Sequence, residues 1–98
     1  MQLDEIRRRI APYRTELLAI GVRHLSVFGS VSRGDDNVDS DIDLLVDFDP
    51  DARIGFARYF ELEERLSNLL ERRVDLVSSY GLPLAFKTEI DAEAKTIL

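Results

Sequence analysis

The chain contains no cysteine, which excludes a disulfide scaffold and a thiolate metal site and suits a reducing cytosol. It contains one histidine, His24. A single imidazole builds neither a histidine metal site nor a Ser-His-Asp relay, so His24 reads as a residue leading into a strand, without a chemical role. No apolar run approaches the roughly 20 residues that span a bilayer. The first residues, with Asp4 and Glu5 ahead of Arg7, Arg8 and Arg9, lack the pattern of a signal peptide, and a cytoplasmic protein without membrane contact is expected. Repeats, low-complexity stretches and linkers are also missing. With 98 residues, a single domain spanning 1–98 is expected, with one core and no second lobe. The net charge of −6 argues against an electrostatic grip on RNA or DNA, so direct nucleic-acid binding is not expected.

The most informative shortage is of positive charge in the middle of the chain. Between Arg33 and Arg53 there is no Lys or Arg, while Asp35, Asp36, Asp39, Asp41, Asp43, Asp47, Asp49 and Asp51 all fall inside that interval. Ile42, Leu44, Leu45, Val46 and Phe48 read as a buried strand. Alternation along a strand then points Asp41 and Asp43 the same way. Two carboxylates side by side repel, and at least one pKa should rise unless a counter-charge arrives. A hard divalent cation such as Mg²⁺, held by one or two carboxylates plus substrate phosphates, removes the repulsion. For a lone Asp-x-Asp pair, a solvated strand end would be the better reading.

The pair is not alone. Leu25 to Phe28 reads as a strand, Gly29 permits a backbone conformation closed to other residues, and Ser30 to Arg33 can start a helical turn that Gly34 ends. Exposed N–H groups there, with the Ser30 hydroxyl, form an anion cradle, and Arg33 offers a cation beside it. The loop is not a Walker A motif, because the Lys after the second Gly is missing and the spacing differs. Ser30 has no nearby base to make it a nucleophile and is better placed as a phosphate ligand.

The run Gly29-Ser30-Val31-Ser32-Arg33-Gly34, followed by Asp39-Ser40-Asp41-Ile42-Asp43-Leu44-Leu45-Val46-Asp47-Phe48, resembles the signature of the minimal nucleotidyltransferases. These are the smallest members of the DNA polymerase β-like nucleotidyltransferase superfamily, and many are antitoxins encoded beside a HEPN-domain ribonuclease toxin. The family signature is a Gly-Ser turn, a second Gly, an Asp-x-Asp on the next strand and a third carboxylate on a later strand. Gly29, Ser30, Gly34, Asp41 and Asp43 match, and Asp75 in Arg73-Val74-Asp75-Leu76-Val77 supplies the third carboxylate. The resemblance implies a nucleotidyltransferase fold of the α/β (α+β) class, a small mixed β-sheet packed against helices. It also implies adjacent Asp-bearing strands, so that Asp41, Asp43 and Asp75 converge.

Outside the motif, Leu3, Ile6, Ile10, Tyr13 and Leu17 form one helical stripe that Pro12 should kink or split, with the second part ending near Gly21. Arg7, Arg8 and Arg9 should mostly face water, although they could also meet an acidic partner. Asp49-Pro50-Asp51 is a turn, and a long helix follows in which Phe56, Tyr59, Leu62, Leu66 and Leu69 should be core. Val74 to Val77 reads as a third strand, where an Asp among apolar neighbours is costly to bury unless paired, coordinated or at the strand end. Arg72 and Arg73 could steady a triphosphate or simply solvate the turn, and Tyr80 should be a half-buried loop residue. Pro83 can open a last helix with an apolar face of Leu82, Phe86, Ile90, Ala94 and Ile97.

By resemblance, two Mg²⁺ ions held by Asp41, Asp43 and Asp75 would bind the phosphates of ATP, with Gly29, Ser30, Arg33 and Gly34 around the β and γ groups. Asp75 is the candidate to assist deprotonation of the attacking hydroxyl. The acceptor implied is a Tyr of a partner HEPN toxin, in a hetero-oligomer, whose ribonuclease activity the added AMP would switch off. Two rivals remain: a non-catalytic antitoxin that masks its toxin, and a small-molecule adenylyltransferase of the antibiotic-modifying type.

Overall fold

A computed structural model describes residues 1–98. The N-terminal stripe is realised, with Ile6, Ile10 and Leu17 fully buried. Pro12 divides it into α1 (Leu3–Ile10) and α2 (Arg14–Ile20), joined by a 3-10 turn at Ala11–Tyr13. The three arginines depart from expectation in part. Arg9 donates to the Leu70 carbonyl (3.2 Å) and pairs with Glu5 and Glu71, and Arg7 donates to the Thr96 carbonyl (3.0 Å). Arg7 and Arg9 therefore fasten α1 to distant parts of the chain, whereas Arg8 bonds only to the Asp4 carbonyl of its own helix.

Four strands follow: β1 (Val22–Phe28), β2 (Ile42–Phe48), β3 (Val74–Ser78) and β4 (Lys95–Thr96), in the sheet order β3-β2-β1-β4. β1 pairs antiparallel with β2 and with β4, while β2 and β3 are parallel. A parallel neighbour needs a crossover, and α4 (Phe56–Leu70) provides it. Val22, Leu25 and Val27 on β1, Ile42, Leu44 and Val46 on β2, and Val74 and Leu76 on β3 join Leu62, Leu66 and Leu70 of α4 in one core. A register shift between Val22 and His24 lets Val22 and Leu25, three residues apart, both join this core, as a bulge does. His24 itself is exposed on β1.

Two stretches differ from the sequence reading. Phe56 is 85% exposed; at the first turn of α4 it overhangs the core edge, and Leu70 joins the buried stripe at the other end of the helix. The last helix, α5 (Leu84–Glu93), has no buried residue. It stops before Ala94, which is extended, and the chain enters β4, so Ile97 is buried beside the sheet rather than on a helical face. Edge pairing with β1 outcompeted continuation of the helix. No helix is long and apolar enough to cross a membrane.

The segment between β1 and β2 begins with a short helix, α3 (Gly29–Arg33). Asp36 then accepts hydrogen bonds from the Met1 ammonium (2.8 Å) and from Arg72 (3.3 Å), and Arg72 also reaches the carbonyls of Asn37 (2.9 Å) and Ser40. Arg72 thus braces the loop that delivers Asp41 to the head of β2. The Met1 ammonium, helped by Arg72, holds the Asp36 carboxyl below its ordinary pKa. Stability from this group is therefore present above the unfolded-state pKa of about 4 and lost as pH falls through the lower folded value. Asp36→Ala is expected to cost about 1.5–3 kcal/mol at neutral pH, the worth of hydrogen bonds to charged groups. Denaturant melts of variant and wild type should converge in acid; a gap independent of pH would assign the loss to packing instead.

Candidate active site

The parallel register sets Asp43 level with Asp75, and the antiparallel register sets Phe28 level with Asp43. One row thus runs across the sheet from Asp75 through Asp43 to the end of β1. There the chain turns sharply at Gly29, with φ of +73°, into α3. A Cβ on Gly29 would lie 2.2 Å from Asp43 Oδ2. Glycine is required twice here, once for the backbone conformation and once to admit the carboxylate. Gly34, with φ of +78°, ends α3, as expected of the second glycine. Ser30 is half-buried at the start of this turn, and its hydroxyl makes no hydrogen bond within the chain. His24 pairs with Asp47 toward the other end of the β1–β2 ladder, so it is no base for Ser30.

Asp43 is half-buried. Burial pushes its carboxyl pKa up, Asp75 and Asp41 push it further, Glu93 adds to this, and Arg33 opposes them. The like-charge strain read from the Asp-x-Asp spacing is therefore present, and Asp75 contributes more to it than Asp41. Asp41 lies one residue ahead of β2, with Arg73 Nε 3.9 Å away on a largely exposed side chain. Asp75 is exposed, so the cost of burial is not what marks it out. Its mark is the register opposite Asp43.

As they stand, no three His, Cys, Asp or Glu side chains are gathered closely enough to hold a metal ion. The chemistry of Asp41, Asp43 and Asp75 nevertheless fits a hard cation: oxygen donors only, with mutual repulsion that a cation would relieve. Tyr80 is 93% exposed rather than half-buried. It lines a groove of about 880 Å³ with Phe48, Phe56, Tyr59 and Phe60, at the far end of β2 from Asp43.

One residue of the site was missed from the sequence. Glu93 Oε1 accepts the Gly29 N–H at 2.9 Å, its Oε2 lies 3.2 Å from Arg33 Nη1, and its carbonyl accepts the Ser32 hydroxyl. Read from the sequence, Glu93 has no part in the site, because the expected last helix runs on to Ile97 and Glu93 lies off its apolar face. The β-branched pair Thr96-Ile97 was the available signal that the helix ended sooner.

A mixed sheet carrying carboxylates on neighbouring strands, with a Gly-Ser turn against them, is the architecture of a nucleotidyltransferase. A family model described as "Nucleotidyltransferase domain" matches residues 7–98, and the chain belongs to that family. It is 42% identical over 83 residues to the protein adenylyltransferase MntA of Thermococcus cleftensis, across 84% of this chain and 82% of that protein. A solved chain provisionally described as a minimal nucleotidyltransferase superposes with a TM-score of 0.80 at 35% identity, covering 97% of this chain and 95% of that one. The fold alone is shared with a chain of the tri-AMPylated Shewanella oneidensis HEPN toxin in complex with its MNT antitoxin. That likeness has a TM-score of 0.70 at 18% identity, over 99% of this chain and 72% of that one.

Gly29→Ala tests the close approach. A positive φ and the contact with Asp43 together should destabilise the protein by more than the ~1 kcal/mol typical of glycine effects. An unchanged melting temperature would show that the turn has room for a side chain.

Proposed function

We propose that this chain transfers AMP from ATP to a hydroxyl of a partner protein, a Tyr of a HEPN-domain ribonuclease toxin, and so acts as the toxin's antitoxin. The observation that carries the reading is the row Asp75–Asp43–Phe28, a carboxylate pair set in register, with the Gly29 turn and its free Ser30 hydroxyl against Asp43. Kinship with the adenylyltransferase MntA supports a protein acceptor, and the fold shared with the HEPN toxin complex supports that class of partner.

In this reading Ser30 donates to a phosphate oxygen, Arg33 adds charge beside it, and Gly29 and Gly34 keep the turn tight enough for backbone N–H groups to face the triphosphate. Asp41, Asp43 and Asp75 would hold Mg²⁺, which when bound supplies charge neutralisation at the phosphates and a lower pKa for the incoming hydroxyl. The hydroxyl oxygen bonds to the α-phosphorus, the bond to the pyrophosphate oxygen breaks, and the released proton passes to Asp75, whose exposed carboxylate can meet an acceptor arriving from solvent. The products are an AMP-modified side chain and pyrophosphate.

Asp43→Asn removes charge while keeping size. The ligand-free protein should melt no lower than wild type, because burial and like charges already disfavour the ionised form. Transfer of labelled AMP to the partner should fall by orders of magnitude while the complex still forms. Modification at the wild-type rate would sink the assignment; continued toxin neutralisation without modification would instead favour masking.

Ser30→Ala removes one hydrogen bond to a charged oxygen and should weaken ATP use by about one to two orders of magnitude without abolishing transfer. Complete loss with ATP affinity unchanged would point to a covalent role for Ser30.

A further inference from the structure

The sheet edge opposite Asp75 carries a residue to which the transfer reaction assigns no part. Val27 pairs with Lys95 and Ser26 with Thr96; Val27 is two residues before Gly29 and Lys95 two after Glu93, so this edge pairing brings the end of α5 beside the turn. The carboxylate consequently reaches the turn from the β4 side, while Asp43 abuts it from the β2 side. Glu93 makes two kinds of contact there. It accepts the Gly29 N–H, and it pairs with Arg33, whose Nε is held by Asp35 at 3.2 Å. Of the Arg33 guanidinium, Nε and Nη1 are thereby engaged and Nη2 makes no bond within the chain.

We propose that Glu93 is a positioning residue of the nucleotide site: it locks the Gly29–Gly34 turn and aims Arg33, leaving Ser30 Oγ and Arg33 Nη2 to meet phosphate oxygens. The proposal rests on the reading of this turn as the phosphate cradle. Two features make the contact more than a surface ion pair. The side chain is about two-thirds covered, at 31% exposure. Its backbone is pinned as well, since the Ser32 hydroxyl donates to the Glu93 carbonyl and the following residues enter β4. A long Arg side chain held at two nitrogens loses less freedom when a phosphate binds than one waving in solvent, so the gain falls on nucleotide affinity.

The test is calorimetric binding of a non-hydrolysable ATP analogue with Mg²⁺ to the isolated chain, alongside thermal melts without ligand. Glu93→Gln keeps an oxygen for the Gly29 N–H and loses the charge on Arg33; it should melt close to wild type yet bind the analogue about tenfold more weakly. Glu93→Ala loses both contacts and should bind more weakly still, by up to about a hundredfold. Since the carboxylate works through Arg33, adding Glu93→Gln to Arg33→Ala should weaken binding less than it does in the wild type.

Equal affinity in wild type and Glu93→Gln, with the fold intact, overturns the proposal. Tighter binding in either variant also overturns it, because Glu93 would then be a carboxylate competing with the phosphates. No binding by wild type would overturn the cradle reading itself, and this proposal with it.

Discussion

Carboxylates held level on neighbouring strands are the constraint around which this small protein is built. Hydrogen bonding between parallel β2 and β3 dictates that Asp43 faces Asp75, and no side-chain adjustment on one strand alone can undo that. Partial burial, followed by repulsion from Asp75 and Asp41, raises the pKa of Asp43. Such an arrangement is unfavourable in isolation. In the proposed reaction, a cation arriving with the phosphates would relieve the repulsion.

The rest of the chain supports that edge in two layers. Beneath it, the alternate residues Ile42, Leu44 and Val46 fill a core closed by α1, α2 and α4, so the pleat that buries these residues turns Asp43 and Asp75 to the other face. Around it, polar ties set the approach of each connecting segment: Arg72 grips the loop leading to Asp41, and Glu93 grips the turn that begins at Gly29. A core of this size leaves little stability to spare. Placing the charged site on the exposed face keeps its cost away from the packing.

Much of this was legible along the chain. The boundaries of β2, the break at Pro12 and the turn bracketed by Gly29 and Gly34 follow from period, missing N–H groups and left-handed backbone, all local properties. Phe56 and the end of α5 were misread for one reason. A helical stripe tells which residues share a face and says nothing about where the partner surface stops. Phe56 lies on the stripe yet beyond the core, and Ile97 follows a strand whose partner edge on β1 no helical stripe identifies.

The sequence by itself determined which residues make up the candidate site, because the Gly-Ser turn and the Asp-x-Asp spacing depend only on backbone conformation and strand alternation over a few residues. It also determined which side of each strand is apolar. Tertiary structure decided which carboxylates meet: Asp75 stands opposite Asp43 because two strands separated by a fifteen-residue helix pair in one register. It decided as well that Glu93, sixty-four positions after Gly29, reaches that glycine's N–H. Registers between distant segments are set by the packing of the whole core, and only the folded chain expresses them.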